Sequence, residues 1–213
     1  MTDTFVINLD SRPDRWKKMK ERFSDSEFKL RRVPAVKAKM GSYGNFLSTI
    51  KAIKMAKKEG VDSALILEDD CLPVKGFLKK WAIVKSWLDK HPDKWDLYSG
   101  GALNIVMPGL VGQSKGIRFY NPMWSTTSHF IYLHKKSYDL VLNHYKNFSF
   151  FTKFIPVLGV DVQNNLVKTV ISSPFLAYQD SGFSDIRRQT RKREKEFSNT
   201  EKRLEKDTSK NRG

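Results

Sequence analysis

Three carboxylates stand side by side at Glu68, Asp69 and Asp70, directly after the apolar run Ala64-Leu65-Ile66-Leu67. Neighbouring like charges repel, and loss of water raises that cost, so such a cluster needs full exposure or a compensating cation. Side chains alternate in an extended segment, which sends Glu68 and Asp70 one way and Asp69 the other, so two of the three can converge on one ion. An oxygen-rich site with few protein ligands suits Mg²⁺ or Mn²⁺, which keep waters and bind through one or two carboxylates plus substrate phosphates. A divalent metal with a diphosphate is the economical reading, with Glu68 and Asp70 as the metal pair. The competing account is that the acids cap the next turn or pair with surface lysines.

Other chemistries find little support. The chain has no G-x-x-x-x-G-K-[ST] loop, G-x-G-x-x-G turn, H-E-x-x-H helix or paired C-x-x-C, which removes the P-loop, dinucleotide-fingerprint, zincin and zinc-ribbon readings. The four histidines, at 91, 129, 134 and 144, show no ligand spacing on a shared helical face. The single cysteine, Cys71, cannot form an internal disulfide, and the N-terminus lacks the charged and apolar regions of a leader. No apolar run approaches the length of a membrane span. A cytoplasmic setting is expected, without a transmembrane segment.

The formal net charge of +16 arises in two places. Residues 187–213 hold eleven Lys/Arg against five acids, and the other 186 residues hold twenty-eight against eighteen. Such a field favours anionic partners such as nucleotide phosphates, nucleic acid or an anionic membrane surface. A solvated lysine-rich surface accounts for it equally simply.

Elements that would position the acids follow from periodicity. With 39% hydrophobic and 12% aromatic residues over 213 positions, the chain can bury one sizeable core. Residues 4–9 read as a first strand. A helix follows, with Ser11 as its N-cap, Pro13 and Asp14 in its first turn, and Trp16, Met19 and Phe23 on its inner face. A loop over 29–42 leads to a helix at 45–58 that Gly60 ends. Residues 63–67 form the second strand, and Phe77, Trp81, Val84 and Leu88 mark a helix ending near His91-Pro92. A third strand at 95–99 precedes Gly100-Gly101. Residues 102–120 read as a hairpin or loop excursion, 128–133 as a strand, 135–145 as a helix, 160–167 as a short helix and 175–178 as a last strand. Beyond Arg187 the chain carries almost nothing to bury and reads as a charged helix or tail. Alternating strands and helices imply an α/β domain with a mostly parallel central sheet and helices on both faces, in which ligands bind beyond the carboxyl ends of the strands. Asp10 and Ser11, the acidic trio and Gly100-Gly101 would share that rim. The expected division is a single domain over 1–186 and a basic C-terminal helix or tail over 187–213.

Six segments in order, FVINLDSRPDRW (5–16), GSYGNFLSTIKAIKMA (41–56), ALILEDDC (64–71), SHFIYLHKKSYDLVL (128–142), VDVQNNL (160–166) and YQDSGFSDI (178–186), resemble the blocks of glycosyltransferase family 25. That group includes bacterial lipooligosaccharide-biosynthesis transferases and collagen galactosyltransferases, and the compact length is similar to transferases of large DNA viruses and phages. The resemblance implies a GT-A-like fold, a nucleotide-sugar donor, with a UDP-sugar favoured, and Mn²⁺ or Mg²⁺ held by the acidic block. It implies that Asn8, Asp10, Arg12, Arg15, Ser48, Asp69, Gln179 and Asp180 line the donor site, and that Asp161 is the general base of an inverting hexosyl transfer. Against it, Thr49 stands where the family's Leu-Ser-His block has histidine, Asn45 where it often has cysteine, and no histidine follows His144. Arg12 and Arg15 serve equally well as surface ion-pair partners, Asp161 as an N-cap, and His129 as a packed residue. The expected acceptor is a glycan or a protein-linked saccharide. Two alternatives stay open: modified bases in DNA as acceptors, or a non-catalytic module that binds anions.

Overall fold

The computed structural model describes residues 1–24, 27–148, 167–184, 189–191 and 193–210. Its centre is an eight-stranded sheet in the order β2-β1-β3-β8-β5-β9-β7-β6. The strands are β1 (Thr2–Asn8), β2 (Phe28–Pro34), β3 (Ser63–Glu68), β5 (Leu97–Ser99), β6 (Leu103–Ser114), β7 (Ile117–Thr126), β8 (Phe130–His134) and β9 (Thr169–Ser173). Two short strands stand apart, β4 (Cys71–Pro73) and β10 (Ala177–Gln179), which pair antiparallel with Gln179 opposite Cys71. A small hairpin joins β11 (Gly182–Ser184) to β12 (Gln189–Arg191). The helices are α1 (Pro13–Arg22), α2 (Gly41–Lys58), α3 (Phe77–Lys90), α4 (Tyr138–Phe148) and α5 (Arg193–Lys210).

The strand alternation sorts side chains onto two faces. Val6, Leu65, Leu67, Phe130, Tyr132 and Val170 pack against Met19 and Phe23 of α1 and Trp81, Val84, Trp87 and Leu88 of α3. Phe5, Ile7, Ala64, Ile66, Ile131 and Leu133 pack against Phe46, Ile50 and Ile53 of α2 and Tyr138 and Val141 of α4. Helices therefore cover both faces, and each fully buried large side chain contributes roughly 1.5–3 kcal/mol of hydrophobic stabilisation.

The sheet is mixed. β1 runs parallel to β2 and β3, and β5 parallel to β9. β8 runs antiparallel to both β3 and β5, and β7 antiparallel to β9 and β6. The reversal has a local cause: β6 and β7 follow one another as a hairpin with no intervening helix, so β8 enters from the rim where β3 and β5 end. That brings Ser128 and His129 to the same rim as Glu68, a consequence that a parallel β8 would not have.

Several boundaries differ from the periodicity reading. The segment over 29–42 contains β2, whose Lys29, Arg31 and Arg32 hide a strand that is half wet. Helix α2 begins at Gly41, four residues early, and α1 begins after Arg12 without a side-chain cap from Ser11. β9, reading TVISS, is short and weakly apolar, yet every residue in it is buried. The short helix expected at 160–167 lies outside the described residues up to 166. The C-terminal segment is a helix, and it has something to bury: Phe197 and Leu204 of α5 pack with Tyr120, Ile171 and Phe175. Gly101 permits a close crossing at the rim, because a Cβ there would sit 2.2 Å from the Ala177 carbonyl oxygen. Among the described residues no helix is long and apolar enough to cross a membrane.

Candidate active site at the sheet rim

β3 ends at Glu68, and Asp69 and Asp70 form the turn that leads into β4. Glu68 turns toward α2, where its Oε1 accepts hydrogen bonds from Asn45 Nδ2 at 3.1 Å and from the Ser128 hydroxyl. Its Oε2 lies 3.5 Å from Gln179 Nε2. Asp69 turns toward α1, where Oδ1 meets Arg15 Nη1 at 2.8 Å and Oδ2 accepts from Asn8 Nδ2 at 2.7 Å. Asp70 occupies the turn into β4, and its backbone carbonyl accepts from the Asp180 amide at 2.7 Å. The Asp70 Oδ1 atom is shut off from solvent and has no hydrogen-bond partner among the described residues.

Electrostatics follow from these partners. Burial pushes the Asp70 carboxyl up to about 8, with the Glu68 and Asp69 charges adding to it and Arg15 and Arg193 opposing. Burial also raises Glu68, against the hydrogen bonds from Ser128 and Asn45, with Asp69 again adding to the rise. Asp69 has a cation of its own. The neighbouring Cys71 thiol is buried and pushed well above its ordinary range by that burial, so it is inert packing rather than a nucleophile.

The remaining residues singled out by sequence divide into three groups. Asn8, Arg15, Gln179 and Asp180 come together with the acids. Asn8 is buried and also bonds the Arg12 carbonyl and Arg32 Nε, tying β1 to β2 and to the start of α1. Asp180 pairs with Arg22 of α1, whose other nitrogen donates to the Cys71 carbonyl at 3.0 Å. Asp10 and Arg12 stand at the periphery: Asp10 is exposed and paired with Arg32, and the Arg12 fork grips Asp14 with both contacts at 3.0 Å. That fork holds the Asp14 carboxyl down at about 2. Ser48 is fully buried, donating to the Gly44 carbonyl at 2.6 Å and accepting from the Val36 amide at 2.8 Å, which fastens the β2–α2 loop to the helix. It presents nothing to a ligand. Asp161, expected as the base, lies outside the described residues.

His129 is packed. Its Nε2 donates to the Ala177 carbonyl at 3.1 Å, its ring meets Phe197 edge-on at 4.9 Å, and burial lowers it to about 4, so it stays neutral. Sequence reasoning missed four residues that bear on the rim. Arg22 looked like any basic residue on an amphipathic helix, Arg32 lay in an unrecognised strand, and Ser128 fell at a strand end. Asn45 stood out only as a departure from a family block.

Glu68 and Asp70 are thus two carboxylates answered by neutral donors or by none, beside a third answered by arginine. The oxygen set fits a hard divalent cation. Among the described residues no three His, Cys, Asp or Glu side chains stand together as a closed metal cage, so such an ion would rest on this pair and on other oxygens.

No family model matches the chain, and no curated protein sequence matches it. Its fold is similar to a glycosyltransferase involved in the glycosylation of the major capsid of PBCV-1, at 14% identity over 73% of this chain and 68% of that one, with a TM-score of 0.42. It is also similar to an apo UDP-glucose pyrophosphorylase (10% identity, 84% and 76% covered, TM-score 0.39). A nucleoside-diphosphate-sugar pyrophosphorylase from Vibrio cholerae RC9 follows at 12% identity, 80% and 72% covered, and a TM-score of 0.37. At these values the likeness is one of chain path, and no residue role is carried across from it.

Proposed function

We propose that the chain is a metal-dependent glycosyltransferase that moves a hexose from a nucleotide-sugar, a UDP-sugar, to a hydroxyl of a glycan or protein-linked saccharide. The observation that carries this reading is Asp70: a carboxylate with a buried, unpartnered oxygen, next to Glu68, at the strand ends of an α/β sheet. Two arginines act on Asp70 from nearby, but Arg15 pairs with Asp69 and Arg193 with Glu196, and the Asp70 oxygen stays unpartnered among the described residues. When bound, Mn²⁺ or Mg²⁺ would supply charge neutralisation for the departing nucleoside diphosphate. Asp70 would hold the ion, and Glu68 would add negative charge while its hydrogen bonds to Asn45 and Ser128 fix its orientation. Asn8, Asp69 and Arg15 would set the wall toward the nucleotide, with Asp69 aligning the arginine fork for anionic oxygens rather than meeting the donor itself. Asp161 is proposed as the base that takes the proton of the acceptor hydroxyl in an inverting displacement.

The test is hydrolysis of UDP-sugars by the purified chain with Mn²⁺ present, water replacing the acceptor. Asp70→Asn should lower turnover by about 100-fold or more, in keeping with loss of a group that stabilises developing charge. Full activity in Asp70→Asn, or activity indifferent to metal chelation, would overturn the reading.

A further inference from the structure

Two buried acceptor atoms in segments that meet at the rim lack a hydrogen-bond partner among the described residues. One is Asp70 Oδ1; the other is the side-chain carbonyl Oε1 of Gln179. They belong to segments more than a hundred residues apart, yet two contacts bring the segments together. The Asp180 amide donates to the Asp70 carbonyl at 2.7 Å, and Gln179 Nε2 lies 3.5 Å from Glu68 Oε2. The second contact fixes the amide: its NH₂ end faces Glu68, which leaves its carbonyl end turned away from that donor-poor carboxylate. A buried carbonyl without a donor is destabilising, and native structures hold few of them without a reason. Here the neighbours are the Glu68 and Asp70 carboxyls, which once ionised beside a cation offer only acceptors. The nearby guanidinium groups are engaged elsewhere: Arg15 bonds Asp69, Arg22 bonds Asp180 and the Cys71 carbonyl, and Arg193, whose charge also reaches Asp70, pairs with Glu196. A cation seated between two such acceptors would satisfy both.

We propose that Gln179 supplies, through its amide carbonyl, the second protein ligand of the divalent ion, with Asp70 as the charged ligand and Glu68 holding the amide in place from behind. This rests on the rim being the metal site of the proposed reaction, and it changes the expected pair, since Glu68 moves from direct ligand to positioning residue. The shell is then oxygen only, which selects Mg²⁺, Mn²⁺ or Ca²⁺ over softer ions. It also carries one negative charge where a pair of carboxylates would carry two. The ion keeps more of its positive charge for an incoming pyrophosphate, so binding of metal alone is modest and binding with nucleoside diphosphate is stronger. β10 becomes a functional strand, because its pairing with β4 sets the height of Gln179 over the acids.

The experiment measures Mn²⁺ binding to the full chain by the loss of the free-ion electron paramagnetic resonance signal, with no nucleotide and no turnover. Gln179→Leu should raise the Kd for Mn²⁺ at least about tenfold, as loss of a metal-shell partner does. Gln179→Glu, which keeps the oxygen and adds charge, should bind Mn²⁺ as tightly as wild type or more tightly. Melting in metal-free buffer should place both variants close to wild type. If Gln179→Leu binds Mn²⁺ normally while Asp70→Asn does not, the role given to Gln179 is wrong and the metal site stands. If wild type binds no Mn²⁺, both the ligand assignment and the metal-dependent reading fall. If Gln179→Glu binds as poorly as Gln179→Leu, the side chain matters for packing and not as an oxygen donor, which also overturns the assignment.

Discussion

At the scale of single residues, the acidic trio is three sites in different states. Asp69 and Arg15 are both largely shielded, with side-chain exposures of 11% and 17%, so removing one partner strands the other. Arg15→Ala should destabilise the fold by about 3 kcal/mol in urea unfolding, the low end for breaking a buried pair. Asp70 has the opposite character. Its carboxyl rises from an ordinary 3.8 to about 8 on folding, so between those values the folded chain holds a proton that the unfolded chain has lost. Stability therefore falls as pH rises through that window and is fully present only below it. His129, lowered to about 4 by burial, contributes with the reverse sign: its stabilisation is complete above its ordinary 6.5 and is lost as pH falls toward 4. Comparing Tm against pH for wild type and Asp70→Asn in metal-free buffer separates them. The variant should keep the acid-side loss from His129 and lose the decline toward pH 8; a parallel pair of curves would count against the Asp70 assignment. The strand that leads to the trio was legible in sequence, but not that it stops at Glu68 and leaves Asp69 and Asp70 in a turn. What each acid would meet was not, because Arg15, Asn45, Ser128 and Gln179 reach the rim from four separate segments.

At the scale of elements, the site leans on α5, the segment that looked least useful in sequence. Phe197 stacks on Tyr178 with ring centroids 5.6 Å apart, and Glu201 accepts from the Tyr178 hydroxyl at 2.9 Å and from the Phe175 amide. Tyr178 adjoins Gln179, so the helix supports β10. One phenylalanine and one leucine among many charges gave too faint a stripe to read as a docked helix, although both are almost fully buried. Phe197→Ala should cost about 3–5 kcal/mol if the site cannot collapse, read from urea unfolding. A loss under about 1 kcal/mol would mean that α5 lies loosely on the sheet. The other misses have the same cause. β2 alternates basic residues with apolar ones along a strand near the sheet edge, and β9 is covered on both faces by elements distant in sequence. In each case burial is decided by tertiary partners and not by local pattern. The mixed sheet was likewise hidden, since periodicity finds strands but not their directions.

At the scale of the whole molecule, the acidic rim lies within a chain of net charge +16, of which +10 belongs to residues 1–186 and +6 to the rest. A field of that sign draws nucleotide phosphates and other anionic partners toward the molecule. It also attracts duplex DNA whether or not DNA is an acceptor. The two possibilities differ in salt dependence, because purely backbone attraction decays steeply as counterions compete, whereas contacts to bases do not. For a glycan-directed enzyme, a gel shift with duplex DNA seen at about 50 mM salt should vanish by about 200 mM, as expected when affinity falls by orders of magnitude over that interval. Retention of the shift at 200 mM, with preference for duplexes carrying hydroxylated bases, would move the acceptor from saccharide to DNA while leaving the donor site and its metal chemistry as argued.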